Sequence, residues 1–410
     1  MKMHKIVIVG GGAGGLELAT KLGDTLGKKK KAEITLIDCT KTHVWKPLLH
    51  EIAAGSMNPD KHELEYMAQA HWHHFRFRLG RMDRLNRRKK EVSIAPYVDE
   101  DGKEIIPRRS FQYDTLIISV GHQKLHHAIL KAQTQKKPIQ PGQLEVVIVG
   151  AGATGVELAA ELHKATREMT AYGIDRVNPD RDIKISIIEA SPRLLPALPK
   201  KLSHSVELEL RKLRVHLYMG ERVIEVSAKG VKTHSKRFIP SALVVWAAGV
   251  KAPDFLKKID GLETNHINQL LVHTTLQTTR DDSIFAFGDC AACPIDSTDQ
   301  FVPPRAQAAH QQASLLFKSM KMRVKGKMNL PQYVYKDYGS LVNMGEYSTV
   351  GNLMGSLMGG SMFIEGFIAR LMYQSLYKMH LMALHGFMST ALQTLARIIT
   401  RRTEAQVKLH

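Results

Sequence analysis

The sequence predicts an α/β protein with two dinucleotide-binding folds followed by amphipathic helices. Three observations carry that prediction: a strand, glycine turn and helix at the start, a repeat of the same pattern beginning at Glu145, and apolar residues at helical spacing near the C-terminus. Lys5 to Leu22, KIVIVGGGAGGLELATKL, is the first fingerprint. Ile6 to Val9 form the β-branched run of a buried parallel strand, and Leu16, Leu18, Ala19 and Leu22 carry the helix after it. Gly10, Gly12 and Gly15 stand at G-x-G-x-x-G spacing, which serves a tight turn, backbone approach to a pyrophosphate, and close packing of helix on strand. The pyrophosphate is expected on the helix N-terminus. A second strand, EITLID, ends at Asp38, about twenty residues further on, where a carboxylate takes ribose hydroxyls.

At 410 residues the chain has room for two or three domains, and its composition is that of a globular protein. Its 58 Lys and Arg against 39 Asp and Glu give a formal charge of +19, which favours an anionic partner such as lipid headgroups or nucleic acid. Nucleic acid is the weakest of these readings, because the charge is dispersed and no zinc-finger spacing, RNP signature or basic heptad run occurs. Three cysteines, Cys39, Cys290 and Cys293, imply no disulfide framework and fit a reducing compartment. A strand beginning within five residues of the start leaves no expected room for a signal peptide.

Cys39 to Gly55 reads as a loop with Trp45 and Pro47, then a short helical pattern. His71, Trp72, His73 and His74 cluster, but no Cys, Asp or Glu stands at ligand spacing around them, so no metal is expected. Strand patterns follow at Glu91 and at Tyr113, and the latter runs to Gly121, where the chain leaves the sheet and approaches a cofactor. Glu145 to Ala165 then repeats the opening: Gly150, Gly152 and Gly155 at the same spacing, a β-branched strand before, an Ala/Leu-rich helix after, and Glu189 closing the next strand. The chain thus binds two dinucleotides, or one dinucleotide twice over by repeat. Later strands end in Trp246-Ala-Ala-Gly249 and in Phe287-Gly-Asp289, and Pro303 and Pro304 mark the start of a helix.

In this order, two fingerprints, a Trp-Ala-Ala-Gly strand end and a Gly-Asp strand end resemble the two-dinucleotide-binding-domain flavoproteins. Within them the chain is similar to the type II NADH:quinone oxidoreductases through HVWKPLLHE, GATGVELAAEL, WAAGVKAPDFL, IFAFGDCAACP, VPPRAQAAHQ, YKDYGSLV and the Met-rich C-terminus. The resemblance implies two Rossmann-like domains, an FAD domain in residues 1–121 and 251–358 with an NADH domain inserted at 122–250, and a membrane-anchoring region at 359–410. It implies FAD on Gly10, Gly12, Ala13, Gly14, Gly15, Asp38, Lys46, Pro47, Gly121, Asp289, Ala306 and Gln307, and NADH on Gly150, Gly152, Thr154, Gly155, Glu157, Glu189, Ala248 and Gly249. Glu157 falls at the acid beside the nicotinamide, Gln307 at the quinone face of the flavin, and Lys336 near the pyrimidine edge, where a fixed positive charge favours negative charge on the ring. The implied reaction is oxidation of NADH with two-electron reduction of a membrane quinone, ubiquinone or menaquinone, without proton pumping or metal. The stretch from His122 to Leu144 is shorter than the family's usual helical connection.

Two other readings compete. Cys290-Ala-Ala-Cys293 is a C-x-x-C, as a flavoprotein disulfide reductase requires beside its flavin, although not where that class carries it; the alternative is small residues packed under the flavin. A nucleotide-binding, redox-sensing membrane module without turnover is the other. From Gly359 onward, Phe363, Phe367, Leu371, Leu381, Leu384, Met388, Leu392, Leu395 and Ile399 recur at helical spacing. No Asp, Glu, Lys or Arg falls between Met379 and Ala396, yet six polar residues make that stretch a poor spanning helix. An interfacial helix with Arg397, Arg401 and Arg402 on anionic lipid is expected, at the cytoplasmic face of a bacterial inner membrane, or else a homodimer seam of the same period.

Overall fold

The computed structural model describes residues 3–45, 63–98, 104–121, 145–171, 183–227, 229–249, 251–295, 300–344, 349–353, 362–365 and 367–400. The elements that position the site are, in chain order, β1 (His4–Val9), α1 (Ala13–Leu22), β2 (Ala32–Asp38), β3 (Thr42–His43), β4 (Leu64–Glu65), α2 (Tyr66–Trp72), β5 (Arg76–Leu79) and β6 (Thr115–Ile118). The second fingerprint supplies β7 (Glu145–Val149), α3 (Ala153–Ala171), β8 (Lys184–Glu189), α4 (Lys200–Lys212), β9 (His216–Met219) and β10 (Leu243–Trp246). There follow β11 (Gln277–Thr278), β12 (Asp281–Ala286), α5 (Ala306–Arg323), β13 (Ser340–Asn343), β14 (Thr349–Leu353), β15 (Met362–Glu365), α6 (Phe367–His385) and α7 (Phe387–Thr400).

By their contacts, the described residues up to 45 with 63–121 and 251–336 form one compact unit, and those of 145–249 with the residues beyond 336 form a second. The first unit is built on a six-stranded sheet in the order β11-β12-β6-β1-β2-β5. It is parallel except for the β11–β12 edge. Ile6 to Val9 and all four residues of β6 are buried, as central strands of a parallel sheet covered on both faces must be. The second unit carries a four-stranded parallel sheet, β9-β8-β7-β10, around a core that includes Ile148, Val156, Leu158, Ile187, Leu202, Val206 and Val245.

Register decides where the loops emerge. Val9 lies beside both Ile37 and Ile118, and Ile118 beside Ala286, so the first glycine turn, Asp38, the segment to Gly121 and the turn carrying Asp289 leave one edge of the first sheet. Val149 lies beside Ile188 and Trp246, which gathers the second glycine turn, Glu189 and Ala247 to Gly249 in the same way. These are the carboxyl edges, at the point where successive connections diverge to either side of the first strand.

The glycines explain how each helix reaches its strand. Gly10 and Gly150 sit at φ +104° and +107°, and a Cβ there would lie 2.3 Å from the Ser119 carbonyl oxygen and 2.6 Å from the Ala248 Cα. At Gly15 and Gly155 a Cβ would lie 1.9 and 2.0 Å from the carbonyl oxygens of Gly10 and Gly150. Gly12 and Gly152 have nothing within 4 Å, and Gly12 has an ordinary φ of −58°. The three fingerprint positions thus have different physical duties, and both repeats share them.

Beyond residue 336, β13, β14 and β15 form an antiparallel sheet on which α6 packs, and Gly386, at φ +78°, turns the chain into α7. Phe363, expected on a helix with Phe367, lies instead in β15, because Met362 to Glu365 pair with β14 and that ladder outweighs the helical spacing of two residues. Among the described residues no helix is long and apolar enough to cross a membrane.

Two substitutions in one turn should behave oppositely. Gly15→Ala is expected to destabilise the protein by about 3 kcal/mol, since backbone must move on one side or the other. Gly12→Ala should cost less than about 0.5 kcal/mol. Urea-denaturation midpoints of the two variants check this, and equal midpoints would contradict it.

Candidate functional site

In the first unit Gly11 is held through both of its main-chain groups. The Gly11 N–H donates to Asp38 Oδ2 at 2.6 Å, and the Gly11 carbonyl accepts from Tyr66 Oη at 2.7 Å and His43 Nδ1 at 2.9 Å. Asp38 Oδ1 accepts from the Thr40 N–H and hydroxyl at 2.9 and 2.8 Å, which keeps the carboxylate at the mouth of the loop. Ala13 and Gly14 open α1, whose first turn contains no acid, so its N–H groups and dipole face any incoming anion without competition. Gly14 is a packing position: a Cβ there would lie 2.6 Å from Phe287 and 3.2 Å from the Ala309 carbonyl of α5.

The second loop repeats this with fewer attachments. Glu189 Oε2 accepts the Ala151 N–H at 2.7 Å and Oε1 the Ser191 N–H at 2.8 Å, and the Ala151 carbonyl accepts the Leu195 N–H at 2.8 Å. Thr154, the counterpart of Gly14, is exposed, and α3 again has no acid in its first turn. Ala248 lies against Gly150, with its carbonyl accepting from Trp246 Nε1 at 3.0 Å, and Gly249 takes φ +73°. Both loops therefore leave an open cradle where a Cβ at Gly12 or Gly152 would point, next to helix N–H groups and a carboxylate. That donor set fits the diphosphate and ribose of a dinucleotide in each unit.

Two residues past the last glycine, each repeat carries a buried acid. Glu157 Oε1 accepts the Asn343 N–H of β13 at 3.0 Å. Its counterpart Glu17 is ion-paired to Lys21 at 2.5 Å and hydrogen-bonded to His310 Nδ1 of α5 at 2.7 Å. Burial alone would raise the Glu17 carboxyl, but hydrogen bonds and charge from His310 and Lys21 outweigh it and hold it below the ordinary carboxylate value.

Helix α5 gathers the remaining groups of the first unit. Ala306 and Gln307 are its first two residues, and one turn later three successive side chains reach outward. His310 meets Glu17. Gln311 donates from Nε2 to the Lys336 carbonyl at 2.7 Å and accepts the Lys336 N–H at 3.1 Å. Gln312 accepts the Gly288 N–H at 2.8 Å and so holds the turn that carries Asp289. The first unit thereby contains the glycine loop, Asp38, Gly121, Asp289, Ala306, Gln307 and Lys336, and the second contains Gly150 to Glu157, Glu189, Ala248 and Gly249. Lys46, Pro47 and the connection 122–144 lie outside the described residues.

Sequence reasoning passed over Glu17, His43, Tyr66, His310, Gln311 and Gln312. Glu17 was within reach, since it aligns with Glu157 in the repeat. His43 and Tyr66 were not, because only the pairing of β3 with β4, Thr42 opposite Glu65, brings them to Gly11.

Cys290 and Cys293 are fully buried and unbridged, and the Cys290 thiol donates to the carbonyls of Ile118 and Phe287 at 3.4 Å each. Burial pushes both thiols up to about 12, whereas thiol–disulfide exchange runs through the thiolate. Among the described residues no three His, Cys, Asp or Glu converge as a metal site; His73 is hydrogen-bonded to Asp24 at 3.1 Å. The double variant Cys290→Ser with Cys293→Ser should keep more than about half of the wild-type electron transfer once folded, as steady-state assay with bound flavin would show; a near-total loss would restore the disulfide reading.

Known proteins agree with this arrangement. The family model described as pyridine nucleotide-disulphide oxidoreductase matches residues 4–313. The chain is 38% identical to a type II NADH:quinone oxidoreductase of Haemophilus influenzae over 100% of both chains. It is 27% identical to one of Mycobacterium tuberculosis, covering 92% of this chain and 83% of that one. In fold it is similar to NDH2 from Plasmodium falciparum in complex with NADH, with a TM-score of 0.77 over 99% and 100% of the chains at 18% identity. It is also similar to the sulfide:quinone oxidoreductase of Aquifex aeolicus, with a TM-score of 0.69 over 97% and 95% at 16% identity. A family match over most of the chain and a full-length relative at this identity place the protein: it belongs to the pyridine nucleotide-disulphide oxidoreductase family and, within it, to the type II NADH:quinone oxidoreductases.

Proposed function

We propose that this protein oxidises NADH and delivers two electrons to a membrane quinone, with FAD resident in the first unit and NADH exchanging in the second. The observation that carries the reading is the repeat of one glycine-loop geometry in both units, each loop bonded to a strand-end acid, together with a cysteine pair whose thiols burial keeps protonated. A dithiol intermediate is therefore not part of the proposal. Bound FAD supplies the two-electron relay between NADH and quinone.

The chain's own residues do the placing. Asp38 and Glu189 take the ribose hydroxyls, and the Gly12 and Gly152 turns admit the diphosphates against the starts of α1 and α3. Glu157 orients the nicotinamide end of NADH. Asp289, Ala306 and Gly121 line the flavin end of FAD, and Lys336 sets a positive charge at its edge while Gln307 receives the quinone head. Lys46 and Pro47 complete the FAD set. Glu189 repels a 2′-phosphate, with Arg193 turned into its own loop by bonds to the Leu198 and Pro196 carbonyls, so NADH is preferred over NADPH. No proton translocation is part of the reaction.

The C-terminal helices support a membrane-surface location. On α7, Phe387, Met388, Leu392 and Leu395 are between 56% and 70% exposed while Thr390 is buried, and α6 exposes Leu371, Leu376 and Met379 while burying His380. So many large apolar side chains exposed together are unlike the surface of a water-soluble protein. We assign this face to the interface of an anionic bilayer, on the cytoplasmic side, in the manner of a peripheral protein. Ubiquinone or menaquinone would reach the site from that lipid. A homodimer seam is the second reading, favoured by the same exposed stripe.

The purified protein should be yellow, bleach within seconds of adding NADH under argon, and regain colour on adding quinone. NADPH should act at least about tenfold more slowly, and Glu189→Ala should narrow that gap. Gln307→Ala should slow the return of colour more than its loss. Absence of flavin, or equal specificity constants for the two nucleotides, would overturn the corresponding assignment.

Truncation from Gly359 addresses the membrane reading through vesicle co-sedimentation. The full chain is expected to pellet with vesicles containing phosphatidylglycerol and the truncated chain to remain in solution while still reducing water-soluble acceptors. A full-length dimer that ignores vesicles would put the seam in place of the anchor.

A further inference from the structure

The two fingerprints differ at two positions beyond the shared glycines: Gly11 and Gly14 in the first stand where the second has Ala151 and Thr154. The structure gives each substitution a cause. A Cβ at Gly14 would strike Phe287, and a Cβ at Gly11 would lie 2.4 Å from the Tyr66 hydroxyl and 2.5 Å from its ring. The first loop is thus roofed by side chains for which the second has no counterpart among the described residues. Tyr66 and His43 are both buried, and the Tyr66 ring is stacked on Phe77 with centroids 5.0 Å apart, so neither donor has freedom to swing away.

Their common acceptor matters. A trans peptide is planar, with its carbonyl and N–H pointing in opposite directions. Holding the Gly11 oxygen from two sides therefore aims the Gly12 N–H away from Tyr66 and His43. That N–H has no acceptor among the described residues and belongs to the residue whose Cβ direction is empty. In the second unit the equivalent carbonyl, of Ala151, is held by one main-chain bond from Leu195.

We propose that Tyr66 and His43 are positioning residues that fix the diphosphate-binding peptide of the resident FAD, and that this buried side-chain clamp is what separates a loop built to retain its nucleotide from one built to exchange it. Burial and the neighbouring Asp38 charge keep the Tyr66 hydroxyl protonated far above neutral pH, so the donor is permanent. His43 donates through Nδ1, which requires the tautomer with the proton on that nitrogen.

The inference rests on FAD occupying the first loop, and the experiment separates the two. Holoenzyme is diluted and free flavin followed by its fluorescence, alongside the KM for NADH and the melting temperature at saturating FAD. Tyr66→Phe keeps the ring stack and removes only the hydroxyl. It should raise the Kd for FAD about tenfold, the ratio expected for one buried hydrogen bond at the upper end of its net strength, and leave the KM for NADH within about twofold and the melting temperature near that of wild type. A Kd for FAD within about twofold of wild type, or a KM for NADH that rises in proportion, overturns the clamp. Should Tyr66→Phe fail to fold, His43→Gln, which retains a donor, is compared with His43→Leu: only the second should release flavin, and equal retention overturns the proposal. A wild-type protein without FAD would instead overturn the assignment of the cofactor.

Discussion

One backbone contact governs both nucleotide edges. The carbonyl oxygen of the first fingerprint glycine occupies the space that a side chain on the third would need, at 1.9 Å in one repeat and 2.0 Å in the other. Only with that space empty can the helix begin directly against the end of its strand. The unsatisfied N–H groups of its first turn then stand beside the acid at the end of the next strand, a donor and acceptor set that fits a diphosphate and a ribose. Any widening of that contact would carry the start of the helix outward, away from the carboxylate that bonds the loop.

Around this shared core the repeats have diverged by what covers them. In the first unit α1 is crossed by α5, a crossing that the absence of a Cβ at Gly14 permits. The turn of α5 containing His310, Gln311 and Gln312 ties together Glu17 on α1, the main chain of Lys336 and the turn that presents Asp289. Glu17, with a side chain only 2% exposed, is an ionised group in the interior, and it persists because the Lys21 ammonium and the His310 ring meet its two oxygens. Its depressed carboxyl contributes stability above its unfolded value near 4.5 that is lost as pH falls through the lower folded value. In the second unit the equivalent acid, Glu157, reaches the main chain of β13 instead, so the same sequence position anchors a different later segment in each half.

The last helices follow a different logic. Ala369, Tyr373 and Leu384 are buried where α6 rests on the antiparallel sheet, but Leu371, Leu376 and Met379 of α6 and Phe387, Met388, Leu392 and Leu395 of α7 are exposed. In water such a face is costly, of the order of 25 cal/mol per Å² of apolar surface left exposed, and that cost is removed when lipid or a second copy covers it.

The sequence by itself determined the two nucleotide folds, their acids and the order of the strands that bear the loops. Those features depend on local rules: which residues can be buried on both faces of a strand, which can take φ near +105°, and how far a strand's end lies from the next acid. It also located α5 and placed Gln307 and Asp289 in motifs of their own. The tertiary structure decided what chain-distant residues do to one another. Tyr66 and His43 meet Gly11 only through the short β3–β4 ladder, Gln311 meets Lys336 only because the chain returns to α5, and the cysteine pair is silenced by burial that a C-x-x-C spacing does not report. Likewise Phe363 and Phe367 share helical spacing, yet one lies in a strand and the other in a helix, since pairing with β14 is a long-range contact. Local backbone constraints leave a mark in the residue at the position itself; contacts across the fold leave it on residues whose meeting only the assembled sheet and helices arrange.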